Sequence, residues 1–203
     1  MATLRKWFGP SKKEIWKKLS QEMDARFVEG SFTKADKVQV SHGEWTLTLD
    51  TYVVSTGKTV LHFTRMRAPY INPDGFRFTI YRKGIFSDIA KFFGMQDLEI
   101  GDDLFDRDFI LKGTDETKIR MLLLNKKIRE LIAAQKDIHF SVKDHEGWFG
   151  PEFPEKVDEL YFVVLGVIKD VERLKLLYEL FGVTLDQLCQ IGSAYEYAPS
   201  VHL

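Results

Sequence analysis

The hydrophobic period of the chain changes several times, and each change marks an element. Trp45, Leu47 and Leu49 alternate with Thr46, Thr48 and Asp50, the period of a strand with one buried face. Thr59 to Met66 reads as a second strand. Ser55, Thr56 and Gly57 between them supply turn chemistry, so the two are expected to pair as an antiparallel hairpin. Ala68-Pro69 and Asn72-Pro73-Asp74-Gly75 read as a loop, after which Phe76, Phe78 and Ile80 oppose Arg77, Thr79 and Tyr81 in a third strand. Phe109 to Lys112 and the set Ile138, Phe140, Val142 continue the strand pattern. Glu159 to Val167 is apolar on both faces, which predicts a place in the middle of a sheet.

Other stretches carry the helical period. Ser11 and Glu14 have capping-box spacing, and Ile15, Trp16, Leu19, Met23 and Phe27 form a stripe that predicts a helix running to Gly30. Ile85 to Phe93 reads as a short helix stopped by Gly94. Thr114 is placed as an N-cap, with Asp115 and Glu116 where the positive helix end favours carboxylates. Ile119, Leu122 and Leu123 begin a buried stripe, Asn125 interrupts and recaps it, and Ile128, Leu131 and Ile132 resume it. From Val171 to Ile191 a broad stripe of Leu174, Leu177, Tyr178, Leu180, Phe181, Leu185 and Leu188 predicts a long helix lying across the sheet or meeting a partner helix. The order of elements gives an α+β class: a mainly antiparallel sheet covered by amphipathic helices, with a long C-terminal helix. Residues 1–203 are expected to form a single domain, with 94–104 as the place where a sub-division would fall. WFGP occurs at Trp7 to Pro10 and at Trp148 to Pro151, but the flanking residues do not match and no repeat is inferred.

Composition narrows the function classes. With 44% apolar residues, 16 Phe, 7 Tyr and 4 Trp, the 203-residue chain has ample core material. A formal charge of −1 argues against a surface that sleeves a polyanion, so no nucleic acid is expected. One cysteine, Cys189, allows no internal disulfide and no multi-cysteine zinc site, and points to the cytoplasm. The longest apolar run, Leu160 to Ile168, falls far short of the roughly 20 residues that span a bilayer. The N-terminus lacks the apolar middle of a secretory signal and is read as part of the mature fold.

The chemistry-bearing residues do not assemble into a catalytic motif. Asp97, Glu99, Asp102, Asp103, Asp106 and Asp108 surround Arg107, yet from Asp102 the calcium-loop positions six and twelve hold Arg107 and Gly113 in place of Gly and Glu. A solvated acidic turn is the preferred reading, with a metal-dependent hydrolase using this 97–108 cluster as the alternative. Arg5, Lys6, Lys12, Lys13, Lys17 and Lys18, with Trp7, Phe8 and Trp16, could rest on an anionic membrane. Burial of Trp16, Leu19, Met23 and Phe27 against the sheet is favoured over that. Arg65, Arg67, Arg77, Arg82 and Lys83, with Tyr70 and Tyr81, could hold a single strand on an open sheet face, although charged residues are the ordinary dress of such a face. His42, His62, His139, His145 and His202 are scattered without metal-ligand spacing. Cys189 is read as an inert core thiol. No catalytic, cofactor-binding or metal-ligating residue is assigned, and no cofactor is expected.

Gly101, Asp106, Phe109, Gly113 and Asp115, on to Leu122, resemble a signature of bacterial proteins known only as a domain of unknown function, some of which carry membrane segments elsewhere. The likeness covers the central third and implies no active residues. Together these readings lead to the expectation of a bacterial, cytoplasmic, non-enzymatic binding or assembly module. Its partner would be another protein or a second copy, met through the aromatic-rich sheet and the C-terminal helix.

Overall fold

One row of apolar side chains crosses the sheet from edge to edge: Phe27, Val38, Leu49, Met66, Phe162, Phe140, Ile80, Leu111 and Leu98 occupy successive rungs on nine strands. A slip of one residue in any strand would turn its member to the opposite face, so this row fixes the register. The computed structural model describes residues 9–31, 34–55, 57–84, 96–144, 153–199 and 201. The strands are β1 (Arg26–Val28), β2 (Lys37–His42), β3 (Trp45–Ser55), β4 (Val60–Ile71), β5 (Phe78–Arg82), β6 (Gln96–Leu98), β7 (Phe109–Gly113), β8 (His139–Lys143) and β9 (Val157–Leu165). Their spatial order is β1-β2-β3-β4-β9-β8-β5-β7-β6, with every neighbouring pair antiparallel. The β8–β9 pair is thus inserted between the β1–β4 meander and the β5–β7–β6 group. β9 takes the central place that its two-sided apolar pattern predicts.

Helices α1 (Lys12–Glu22), α3 (Glu116–Leu124), α4 (Lys126–Ala134) and α5 (Val171–Gln190) cover the face of the apolar row, and α2 (Asp103–Asp108) abuts β7. The fold is α+β, as the element order implies. Two contacts place α5 across the sheet: the Tyr178 hydroxyl donates to the Val38 carbonyl of β2 at 2.7 Å, and the Phe181 ring meets Phe140 of β8 at 5.5 Å. α1 docks beside it, with Trp16 Nε1 donating to the Ile168 carbonyl at 3.2 Å. The broad stripe of α5 is therefore consumed by this chain's own core, with Leu174, Leu177, Tyr178, Leu180, Phe181, Leu185 and Leu188 all buried.

Several boundaries differ from the sequence expectations for identifiable reasons. The Ser11–Glu14 capping box forms, but α1 ends at Glu22 because Asp24 turns the chain at a φ of 50°, and Phe27 belongs to β1. Ala68-Pro69 lies inside β4 instead of in a loop, opposite Leu160 and Glu159. The β3 ladder stops at Arg67, so beyond it β4 has a free side on which proline is tolerated as on an edge. Asp115, not Thr114, caps α3, accepting from the Lys118 N–H at 3.0 Å. Thr114 Oγ1 instead accepts the Arg77 N–H at 3.0 Å. Asn125 recaps the chain into α4 as its spacing implies. The helix read over Ile85 to Phe93 and the first WFGP aromatics, Trp7 and Phe8, lie outside the described residues, as does all of the second copy. Among the described residues no helix is long and apolar enough to cross a membrane.

Candidate functional site

The rungs that alternate with the apolar row point to the second face of the sheet, and the one through Arg67 is polar throughout. Gln39, Thr48, Arg67, Tyr161, Ser141, Thr79 and Lys112 follow one another across seven strands. Beside them Asp50 pairs with Arg65 across β3 and β4. This face is not the openly solvated surface that alternation alone suggests. Thr48, Arg67, Tyr161, Ser141 and Thr79 are all buried.

At the β2–β4 end the face opens into a groove of about 590 Å³ with Lys34, Lys37, Asp50, Tyr52, Arg65 and Arg67 on its walls. Strand period places Lys37 on β2, Asp50 and Tyr52 on β3, and Arg65 and Arg67 on β4 on the same side. Lys34 arrives from the loop before β2, which is folded back tightly: the Gly30 N–H donates to Asp36 Oδ1 at 3.0 Å, and Lys12 holds the same carboxylate at 3.3 Å. Only glycine fits at position 30, because a Cβ there would lie 2.2 Å from the Lys34 carbonyl oxygen.

Asp50 organises the two arginines. Arg65 Nε and a terminal N–H donate to its two oxygens at 2.6 and 3.1 Å, and Arg67 donates to Oδ2 at 2.8 Å. Glu159 stands 4.0 Å from Arg67 Nε. Four cations against two carboxylates leave a surplus of two positive charges in the groove. Lys34 and Lys37 form no ion pair among the described residues. Burial holds the Lys37 ammonium below the usual lysine range. The charges of Arg67, Arg65 and Lys34 add to that lowering, and Asp50 opposes it. Like charges gathered on a half-buried lysine work against the folded state unless an anion joins them.

An aromatic wall adjoins these cations. Tyr52 stacks on its cross-strand partner Phe63 with centroids 5.0 Å apart and planes within 12°. The Arg65 guanidinium lies 5.1 Å over the Tyr52 ring. The Tyr52 hydroxyl bonds with that of Tyr161, whose phenol is raised first by burial and further by this contact. Lys143 Nζ sits 3.2 Å over the Tyr161 ring. The arrangement suits binding of an anion with a flat group beside it.

The structure disperses the other groups singled out by sequence. Asp106 accepts three backbone N–H bonds, from Ile100, Gly101 and Asp102, at 3.0, 2.8 and 3.1 Å. Asp102 caps α2 and pairs with Arg129 at 3.3 Å, while Asp108 takes Arg107 at 2.8 Å. Among the described residues no three His, Cys, Asp or Glu side chains converge as metal ligands. On α1, Lys12 pairs with Asp36, Lys13 and Lys17 with Glu29, and Lys18 with Glu22, while Trp16 is buried. Arg5, Lys6, Trp7 and Phe8 lie outside the described residues.

The proposed arginine patch divides. Arg65 and Arg67 reach the groove, whereas Arg77 clamps buried Asp158 at 2.9 Å and Arg82 donates to the Ala133 carbonyl at 3.2 Å. Tyr70 is buried on the helical side. His139 is buried and stacks on Tyr81, and His42 pairs with Asp186 at 2.9 Å. His62 stands exposed in β4, while His145 and His202 lie outside the described residues. Cys189 is half-buried, its thiol raised by burial and by the charges of Glu196 and Asp186.

Sequence reasoning missed Lys34, Lys37, Asp50, Tyr52 and Glu159. The signal was the phase shared by three consecutive strands: folding about the turns at Gly43 and Gly57 brings Lys37, Asp50, Tyr52, Arg65 and Arg67 to one face. The chain matches no protein-family model, no curated protein and no solved structure.

Proposed function

We propose that this protein is a non-enzymatic binding module whose ligand presents an anionic group to Lys34, Lys37, Arg65 and Arg67 on the second face of the sheet. The observation that carries this reading is Lys37, a half-buried ammonium without an ion pair among the described residues and surrounded by like charge. An anion placed there would relieve repulsion on several cations at once, with the Asp50-oriented guanidiniums offering directed donors. Of the two surfaces expected to bind, this reading keeps the sheet and drops the C-terminal helix, since the apolar stripe of α5 lies in the core. A reducing, cytoplasmic setting suits the lone, free thiol of Cys189.

The direct test is calorimetry and thermal unfolding with inorganic phosphate and pyrophosphate at low ionic strength. Saturation at 100 times Kd would stabilise the fold by about 2.7 kcal/mol, and added chloride should weaken the effect. The Lys34→Met/Lys37→Met double variant should lose at least about tenfold in affinity, or 1.4 kcal/mol. No binding heat and no thermal shift at millimolar phosphate or pyrophosphate would refute the reading.

A further inference from the structure

The groove pairs its cations with a ring held in place on three sides, and that combination says more about the ligand than its charge. Tyr52 lines the groove beside Lys34 and Lys37. Phe63 backs it in a parallel stack at 5.0 Å, Arg65 lies 5.1 Å over it, and its hydroxyl is tied to Tyr161. A ring so fixed steadies the guanidinium over it, which then has little freedom left to lose when a flat group stacks on it. Lys37 stands on the strand next to Asp50, whose rung is occupied by Arg65. Tyr52 lies two residues further along β3, about 7 Å away at the usual strand rise. That is the scale of a single pentose joining a phosphate to its base.

We propose that the groove binds a nucleoside monophosphate, with the phosphate among Lys34, Lys37 and the Asp50-oriented guanidiniums and the base stacked on the Arg65 guanidinium that covers Tyr52. The inference rests on the anion-binding reading above and deepens it. The surplus of two positive charges matches a phosphate dianion. The groove, at about 590 Å³, falls within the size of small-ligand sites. The chain's net charge of −1 supplies no extended field for a long polyanion.

Isothermal calorimetry on the full chain separates the parts. The ligands are AMP, GMP, CMP, ribose 5-phosphate, inorganic phosphate and a ten-residue oligothymidylate. At least one nucleoside monophosphate should bind about tenfold or more tightly than ribose 5-phosphate, the increment of one stacked base. Tyr52→Leu should abolish that difference, and Tyr52→Phe should keep it. Lys37→Met should weaken every phosphorylated ligand, and circular dichroism and thermal melts verify that each variant folds.

Equal affinity for ribose 5-phosphate and all three monophosphates, still dependent on Lys37, would overturn the base-stacking inference and leave anion binding standing. Absence of binding by every phosphorylated ligand would overturn both. An oligothymidylate bound more than about tenfold tighter than any monophosphate would overturn the small-ligand assignment in favour of a single strand.

Discussion

Single residues on the second face carry strain that pH and substitution can read out. Lys37 has a folded-state pKa below its unfolded value, so the unfolded chain holds the proton more firmly and the charged lysine disfavours folding at neutral pH. Its contribution therefore improves as pH rises through the folded value toward that of free lysine. Lys37→Met is expected to raise Tm at pH 7 in ligand-free protein, and calorimetry should find the gain shrinking as pH approaches 10.5. A lower Tm at neutral pH would mean that the lysine is stabilised by its surroundings. His139 gives a second handle, because burial, aided by the charge of Lys143, pushes its imidazole down to about 4 from 6.5. Between those values the unfolded chain takes up a proton that the folded chain refuses. Stability should thus rise with pH from about 4 to 6.5 and level off above, by about 3 kcal/mol in all. Urea titrations of the wild type and His139→Gln across this range isolate the effect. Parallel pH profiles for the two proteins would contradict it. The sequence marked His139 only as one of five scattered histidines, since burial of a strand's polar side is set by what packs over it and leaves no trace in the local pattern.

Elements were more legible than residues, and the reasons for the exceptions are local. The period-two runs fixed β3 and β8, the two-sided apolar run placed β9, and the broad apolar stripe fixed α5 almost to the residue. The end of α1 was lost because helical spacing continues through Phe27, while the break comes from the backbone of Asp24. Proline within β4 was unreadable locally: its tolerance depends on where the neighbouring strand stops pairing. The cap of α3 was misplaced by one residue because Thr114 and Asp115 are both good caps, and the choice is made by Arg77, whose N–H engages the threonine. A test follows from that division of labour. Asp115→Ala should cost about 1 kcal/mol by removing the acceptor for the Lys118 N–H, whereas Thr114→Ala should leave the helix capped and loosen the link to Arg77. Chemical denaturation gives both costs, and amide exchange at Lys118 should accelerate only in the Asp115 variant. Faster exchange there in Thr114→Ala would restore the threonine as the cap.

At the scale of the molecule, the β8–β9 pair is the bridge between two groups of strands. β4 meets β9 on one side and β5 meets β8 on the other, so strands from before and after 94–104 share one sheet. Phe162 sits in that bridge with no exposed surface, on the rung between Met66 and Phe140. Phe140 in turn meets Phe78 at 5.6 Å and Phe181 at 5.5 Å, so strands, bridge and long helix touch through aromatic edges. Truncation of a fully buried phenylalanine removes its transfer free energy and leaves a cavity, at a combined cost of about 3–5 kcal/mol. If the sheet unfolds as one unit, Phe162→Ala must lower protection on both sides of the bridge equally. Hydrogen exchange at Leu47 and Leu49 of β3 and at Ile80 of β5 is the measurement. Each amide should lose the same free energy of opening as the global unfolding free energy falls. Loss confined to Ile80, with the β3 amides unchanged, would divide the sheet into two cooperative units. The groove between β2 and β4 would then belong to a body that folds without the β5–β7–β6 group.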